Sequence, residues 1–456
     1  MHTSSKKLTG QYGAIIFLML FYTIFHIALT PDYWDDASYR NAMDGSIRNL
    51  LLFLHRGYLL QTSRTTIELV TGILSVLPYS VWKLLNLLII LLLYEDIVWF
   101  QIHVFKITDA SSEWAASLLL CSLPFSIMAS AGWLATTLNY LWVISLGWYA
   151  VNKVIKAVIL EEKLSFKEKI LTILTVLYSG CFESVTALMS VGILAAIFYE
   201  KKWKHKKAPG LLWVILAILL LFLVEIAICP GNQNRMKSDV GYWMADYAQM
   251  NLLDKLRMGI VMAFMHFVSI PSPIFFILNA SCLAVAIMKK GTRIQKLAAA
   301  CPVALDILWT CYFMINYLLG NKTMTYQVPN TLLSGGIDMI EQLAMLATIA
   351  IWFASLLYTL YWAFEAKKDF FLCLSILLTG CVPEVIVGMS ATVTNSMLRT
   401  VIYLYLSMIL IILCLLKEIR IFWTQIKWFR LAVYFTLACG IALNAMQMTR
   451  HILVYG

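Results

Sequence analysis

Charge is what this chain has least of. Asp, Glu, Lys and Arg make up 13% of its 456 residues, about half the share of a soluble domain. With 61% hydrophobic residues and a mean hydropathy of +0.79, an ordinary water-facing globule is excluded. The alternation of apolar and polar residues that marks barrel strands is missing too, so helices must satisfy the backbone in lipid. The ten cysteines show no paired spacing of the zinc or redox kind and read as small buried hydrophobes. No His and carboxylate cluster has metal-site spacing, and no tandem repeat of fixed period is visible. The first apolar segment has no small-residue cleavage site and reads as a retained span rather than a signal peptide.

What is present is a succession of apolar stretches of about 20 residues, each long enough to cross a hydrocarbon core. The fold class expected is all-α, a polytopic transmembrane helical protein with about 13 spans. The net charge of +10 collects in short connecting segments: Lys6-Lys7, Lys153 to Lys169, Lys201 to Lys207, Lys289 to Lys296, Lys367-Lys368 and Lys417 to Arg430. Such clusters report topology, so nucleic acid is not an expected partner; the lipid bilayer is. Placing them inside a plasma membrane puts the N-terminus in the cytoplasm and the C-terminus outside. The spans then fall at 11–29, 81–104, 114–132, 138–152, 170–182, 184–199, 210–228, 272–288, 297–318, 339–363, 370–391, 399–416 and 431–448. Residues 66–79 read as a surface or re-entrant helix, and 258–271 as apolar surface. Three longer segments lie outside, at 30–66 (with surface helices), 229–257 and 319–338. The last holds Asn321-Lys322-Thr323, a glycosylation sequon that matters only in a secretory-pathway host.

Unusual polar residues gather on the outer side of this layout. Asp35 and Asp36 follow the first span; Arg40, Asp44, Arg48, His55, Arg56 and Arg64 come after them, with no lysine in the loop. Solvation alone explains charges in a loop, but Arg in place of Lys suits bidentate phosphate or carboxylate recognition. Pro230-Gly231-Asn232-Gln233-Asn234-Arg235 reads either as a span-ending turn or as a loop in which Asn232 and Arg235 bind sugar hydroxyls or phosphate. Glu183 and Glu384 sit at outer span ends, where ionisable groups are costly and often functional, and Glu225 lies deeper. The strings ending in these two glutamates, Ser179-Gly180-Cys181-Phe182-Glu183 and Thr379-Gly380-Cys381-Val382-Pro383-Glu384, echo one another too briefly to show duplication. Arg399 is a second phosphate candidate, against snorkelling to headgroups. Trp34, Trp133, Tyr140 and Trp243 suit either sugar stacking or an interfacial belt. Transfer from a polyprenyl-phosphate sugar needs a carboxylate base, fixed cations for the leaving phosphate and apolar surface for the isoprenoid, and these residue types are here. Asp35 and Asp36 are also the one place for a divalent cation, Mg or Mn, with phosphate oxygens.

The chain resembles the GT-C class of polytopic glycosyltransferases, and within it a bacterial group of mostly uncharacterised members. The resemblance rests on Trp34-Asp35-Asp36, on Arg64 closing the loop, on Trp133 with Asn139-Tyr140-Leu141-Trp142, on Glu183, and on Pro230-Gly231-Asn232 followed by Arg235. It covers about half the chain. It implies a polyprenyl-phosphate sugar donor, inversion at the anomeric carbon, and an extracytoplasmic acceptor such as a wall polymer, surface polysaccharide or glycolipid. Asp36, slightly ahead of Asp35, takes the role of catalytic base. Substrate binding is expected at Arg56, Arg64, Trp133, Asn139, Tyr140, Glu183, Asn232, Arg235 and Arg399. No soluble C-terminal domain of the oligosaccharyltransferase kind is seen, which disfavours a peptide acceptor. Two other classes fit the same residues: a transporter or flippase for a lipid-linked glycan, and a polysaccharide polymerase or ligase. Transporters concentrate charge at the midplane, where this chain has little beyond Glu95, Asp96, Glu225 and Asp306.

Overall fold

A computed structural model describes residues 2–31, 33–269, 272–319, 339–423 and 427–455. The segment expected outside at 319–338, beyond its first residue, and the sequon at Asn321 lie outside the described residues. Every regular element described is a helix. Eight helices are long and apolar enough to cross a membrane: Tyr79–Phe105, Glu183–Trp203, Gly210–Ile228, Arg293–Tyr312, Leu343–Ala363, Lys367–Val387, Ile402–Ile419 and Arg430–Val454. Tyr12–Ala28, Thr65–Val76 and Pro273–Met288 are shorter apolar helices. The protein is all-α and membrane-embedded, as its composition requires.

Local chemistry sets several boundaries. Ser46 opens Ile47–Leu60 by accepting the Asn49 N–H at 3.1 Å, the usual role of an N-cap serine. Ser165 and Glu168 form a capping box ahead of Phe166–Ser179. Pro78 separates Thr65–Val76 from Tyr79–Phe100. Two expectations are corrected. The span at 114–132 is not continuous: Ala110–Cys121 stops short of Pro124, and Ser126–Ala129 is a single turn beyond it. Proline supplies no N–H and pushes the preceding residue out of helical geometry, so an apolar run need not be one helix. Nor is Pro230-Gly231-Asn232, within the segment 229–257, a simple span-ending turn. Pro230 begins the helix Pro230–Trp243, because a first-turn N–H has no helical partner to lose.

The chain forms two compact units. The first comprises 15–104, 125–238 and 448–456; the second 1–14, 105–124 and 239–447. In the first, Tyr79–Phe100 and Phe166–Ser179 both pack on Trp142–Val158, and Glu183–Phe198 packs on Gly210–Ile228. A buried polar relay fastens three of its helices. Trp142 Nε1 donates to Asn86 Oδ1 (2.9 Å), the Asn86 amide lies 2.8 Å from His26 Nε2, and His26 Nδ1 donates to the Tyr22 carbonyl (2.8 Å). That arrangement assigns the Nδ1–H tautomer to His26. In the second unit Ile402–Trp423 is the central helix, packed by Pro273–Met288 and Lys367–Val387. Gly380 permits the close approach, since a Cβ there would collide with the Ser407 side chain; small residues at such crossings let helices meet.

Candidate functional site

The acidic pair divides. Trp34 has φ 49° and turns the chain into the helix Asp35–Ala42. Neighbouring residues on a helix face different ways, so Asp35 stays exposed while Asp36 is 2% exposed. Asp36 Oδ2 accepts the Leu134 N–H and Oδ1 the Ala135 N–H, both at 2.9 Å, and the Trp133 N–H acts on the same carboxyl. These are the first N–H groups of the helical run that opens at Trp133, which has no helical partners for them. Gly132, at φ +119°, makes the approach possible: any Cβ there would strike the Asp36 carboxyl. Burial pushes Asp36 up to about 7, against the pull of those backbone N–H groups.

Asp36 borders a cavity of about 320 Å³ in the first unit, with Pro31, Arg40, Leu77, Tyr79 and Leu134 in its wall. Arg40 is exposed. The Tyr79 hydroxyl lies 3.4 Å from Asp36 Oδ2, a long bond that a substrate hydroxyl can replace. The cavity therefore presents a carboxyl titrating near neutrality, a guanidinium and a phenol.

A chain of hydrogen bonds runs from this carboxyl to a second cluster. Ala135 gives its N–H to Asp36 and its carbonyl to Asn139 Nδ2 (3.0 Å). Asn139 Oδ1 accepts from Arg64 Nη1 (3.1 Å), and Arg64 holds Glu183 through Nε and Nη2 at 3.0 and 2.8 Å. The guanidinium also stacks on Phe182, 4.1 Å from the ring centre. Asn139 occupies a π-helical turn, Thr137–Leu141, a local widening that often accompanies functional positions. Asn232 Oδ1 accepts the Ser63 N–H (3.2 Å), and its amide donates to Ser63 Oγ (3.0 Å). Gly231 packs so tightly on the 58–62 backbone that a Cβ would meet Tyr58 O at 2.6 Å. Thr65 donates to Glu225 at 2.6 Å, and the charge of Arg235 acts on Glu68 and Glu183.

Six residues singled out from the sequence, Asp36, Arg64, Asn139, Glu183, Asn232 and Arg235, thus belong to one polar neighbourhood in the first unit. Others stand differently. Arg56 and His55 are exposed on Ile47–Leu60. Arg399 belongs to the second unit, where its Nη2 donates to Ser396 Oγ (3.3 Å); Glu384 is in that unit too. Sugar stacking on Trp133 and Tyr140 is corrected. Trp133 is 1% exposed, its indole N–H is donated to His451 Nε2 (2.9 Å), and its ring stacks on Phe125. Tyr140 is 7% exposed, edge-on to Phe182. Neither offers a ring face. Sequence reasoning missed Tyr79, one of 22 tyrosines, and Glu68, a lone acid within the apolar stretch 66–79 that could have signalled a buried polar site.

A divalent cation does not fit Asp35 and Asp36. The two side chains diverge, and Asp36 meets the positive ends of backbone N–H dipoles at both oxygens. Among the described residues no group of three or more His, Cys, Asp or Glu is placed to hold a metal. Comparison of the chain with protein-family models, with curated proteins and with solved structures gives no match.

Proposed function

We propose that this protein is a GT-C-type glycosyltransferase that moves a sugar from a polyprenyl-phosphate donor to an acceptor on the extracytoplasmic face, with inversion and with Asp36 as general base. The observation that carries the proposal is the placement of Asp36. It is buried, borders a cavity, and titrates at about 7, where a base serves best near neutral pH. The acceptor hydroxyl takes the place of Tyr79 beside Oδ2 and attacks the anomeric carbon. The bond from that carbon to the phosphate oxygen breaks, polyprenyl phosphate leaves, and the hydroxyl proton passes to Asp36. Arg40 is the cation in the same cavity wall and serves the departing phosphate. Arg64 and Glu183 hold one another, so they position the helical run carrying Asn139 rather than touch the donor. The acceptor is a wall polymer, surface polysaccharide or glycolipid.

A lipid-linked glycan transporter is the second reading. Its support is that carboxyls are buried within spans, among them Asp96 (5% exposed), Asp306 (8%) and Glu384 (2%), since intramembrane acids mark transport and proton pathways. Purified protein supplied with labelled polyprenyl-phosphate hexoses and a crude wall acceptor separates the two. Sugar transfer that is lost in Asp36→Asn but kept in Asp35→Asn, with both variants folded, upholds the first. Movement of labelled lipid between leaflets without transfer replaces it with the second.

A further inference from the structure

The second unit contains a cavity of about 70 Å³ walled by five aromatic rings, by aliphatic and sulfur-bearing side chains, and by one carboxyl. Phe264 and Phe267 come from Leu252–Ser269, Phe275 from Pro273–Met288, Trp352 and Phe353 from Met339–Ala363, and Glu384 from Lys367–Val387. Four of the rings contact one another in series. Phe267 and Phe275 have centroids 5.4 Å apart, Phe275 and Trp352 5.2 Å, and Trp352 and Phe353 4.8 Å at 89°. Trp352 donates its indole N–H to Asn279 at 2.9 Å, so its N–H is already used within the protein.

Glu384 is the anomaly in this lining. It follows Pro383 inside a span, is 2% exposed, and accepts one long bond at Oε2 from Thr400 (3.3 Å). Its other oxygen, Oε1, has no hydrogen-bond partner among the described residues. A buried acceptor left unpaired costs free energy, and an acid in a span needs a partner. An anion would be repelled by this wall. A neutral donor would satisfy Oε1 and gain little from the rings. A cation bearing an N–H satisfies both, because aromatic faces attract positive charge strongly once water is excluded. The volume limits the guest to a small group.

We infer that this cavity binds a small alkylammonium group, which donates an N–H to Glu384 Oε1 and lays its carbons against Trp352 and the phenylalanines. The group is either a free amine or the ammonium headgroup of a lipid. Full-length protein in detergent, titrated with labelled n-propylammonium, tests the inference. Saturable binding is expected, weakened at least tenfold by Glu384→Gln and several-fold by Trp352→Leu, and not displaced by n-butanol. Tetramethylammonium, which has no N–H, competes less well than propylammonium. In nanodiscs, competition by phosphatidylethanolamine but not phosphatidylcholine assigns the site to a lipid headgroup; equal binding in both assigns it to a free amine. Absence of saturable binding by monodisperse wild-type protein overturns the inference. So does wild-type affinity in folded Glu384→Gln, or displacement by butanol as effective as by propylammonium. If Glu384→Gln fails to fold, Trp352→Leu and the butanol competition decide.

Discussion

Replacing Asp36 by Asn separates the structural part this side chain plays from its proposed catalytic one. The carboxyl accepts two backbone N–H groups at 2.9 Å. An amide has a single acceptor oxygen, so one of those N–H groups would face an NH2, at a cost of about 1–3 kcal/mol for a buried donor left unpaired. A protonated carboxyl escapes that conflict, because its hydroxyl oxygen still accepts while its proton turns to Tyr79. The folded carboxyl titrates at about 7 rather than at the ordinary 3.8. Between those values the native state holds a proton that the unfolded chain has released. The stabilisation is therefore complete below pH 3.8 and lost as pH rises through 7. At about 1.4 kcal/mol for each pH unit, the loss is at most on the order of 4 kcal/mol. Wild type should melt at progressively lower temperature from pH 4.5 to 7.5, the Asn variant should show a shallower slope because burial also pushes Glu68 up to about 7, and the gap between them should narrow. Catalysis has the opposite sign. The proposed transfer needs the carboxylate, so the wild-type rate should climb to a plateau through about pH 7, and Asn should cost about 10²–10⁴-fold at the plateau. Melting by intrinsic fluorescence and sugar transfer, both followed against pH, provide the readout. An Asn variant that is less stable yet as active per folded molecule as wild type would make Asp36 a helix cap and refute the catalytic assignment.

Gly132→Ala should lose about 1–3 kcal/mol from backbone strain at φ +119° and reduce transfer nearly as far as Asp36→Asn, since the added methyl displaces the carboxyl; a wild-type rate would show that its placement is unimportant. Removing a partner from a fully buried ion pair costs about 3–5 kcal/mol. Glu183 keeps 31% of its side-chain surface, so Arg64→Ala should cost about 2 kcal/mol once solvent screening is allowed for, and part of that loss should be recovered in Arg64→Ala with Glu183→Gln. Additive melting shifts would contradict the pairing. Trp133→Phe should cost about 1 kcal/mol, the net worth of its bond to His451, and leave the KM for the sugar donor unchanged; a tenfold rise in KM would restore Trp133 as a sugar platform.

Much of the polar neighbourhood was visible in the sequence because lipid makes polar residues conspicuous. Arg64, Asn139, Glu183 and Asn232 stand out at the ends of apolar stretches, where each needs a partner, and the structure shows that they share partners in one unit. Their division of labour was not visible. Whether Asp35 or Asp36 turns inward depends on Trp34 and on the Gly132 bend, a contact distant in sequence. Helix continuity was also ambiguous. An apolar run reads the same whether Pro124 breaks it or not, and Pro230 suits a stop as well as a start. The sequence leaves Trp133 and Tyr140 open between sugar stacking and an interfacial belt, because aromatic residues serve interfaces, cores and ligands alike. Their burial, which no single-residue property encodes, decides against sugar stacking.

Bracing side chains and the exchangeable carboxyl differ in how their hydrogen bonds are used. Arg64 has its guanidinium on Glu183, Asn139 and the Phe182 ring, and Asn232 has both ends of its amide on Ser63. A side chain so bound within the protein must break those bonds to touch a substrate, which makes it a poor ligand and a good brace. Asp36 differs in one respect: its 3.4 Å contact with Tyr79 is long, lies in the cavity wall, and can be exchanged at little cost. The same Ala135 peptide that braces Asp36 passes its carbonyl to Asn139 and so to Arg64. The rigid cluster thus fixes the helix end against which the exchangeable carboxyl is set. Loosening the cluster should therefore lower the transfer rate without shifting the pH at which it rises, whereas altering the Asp36 surroundings should move that pH itself.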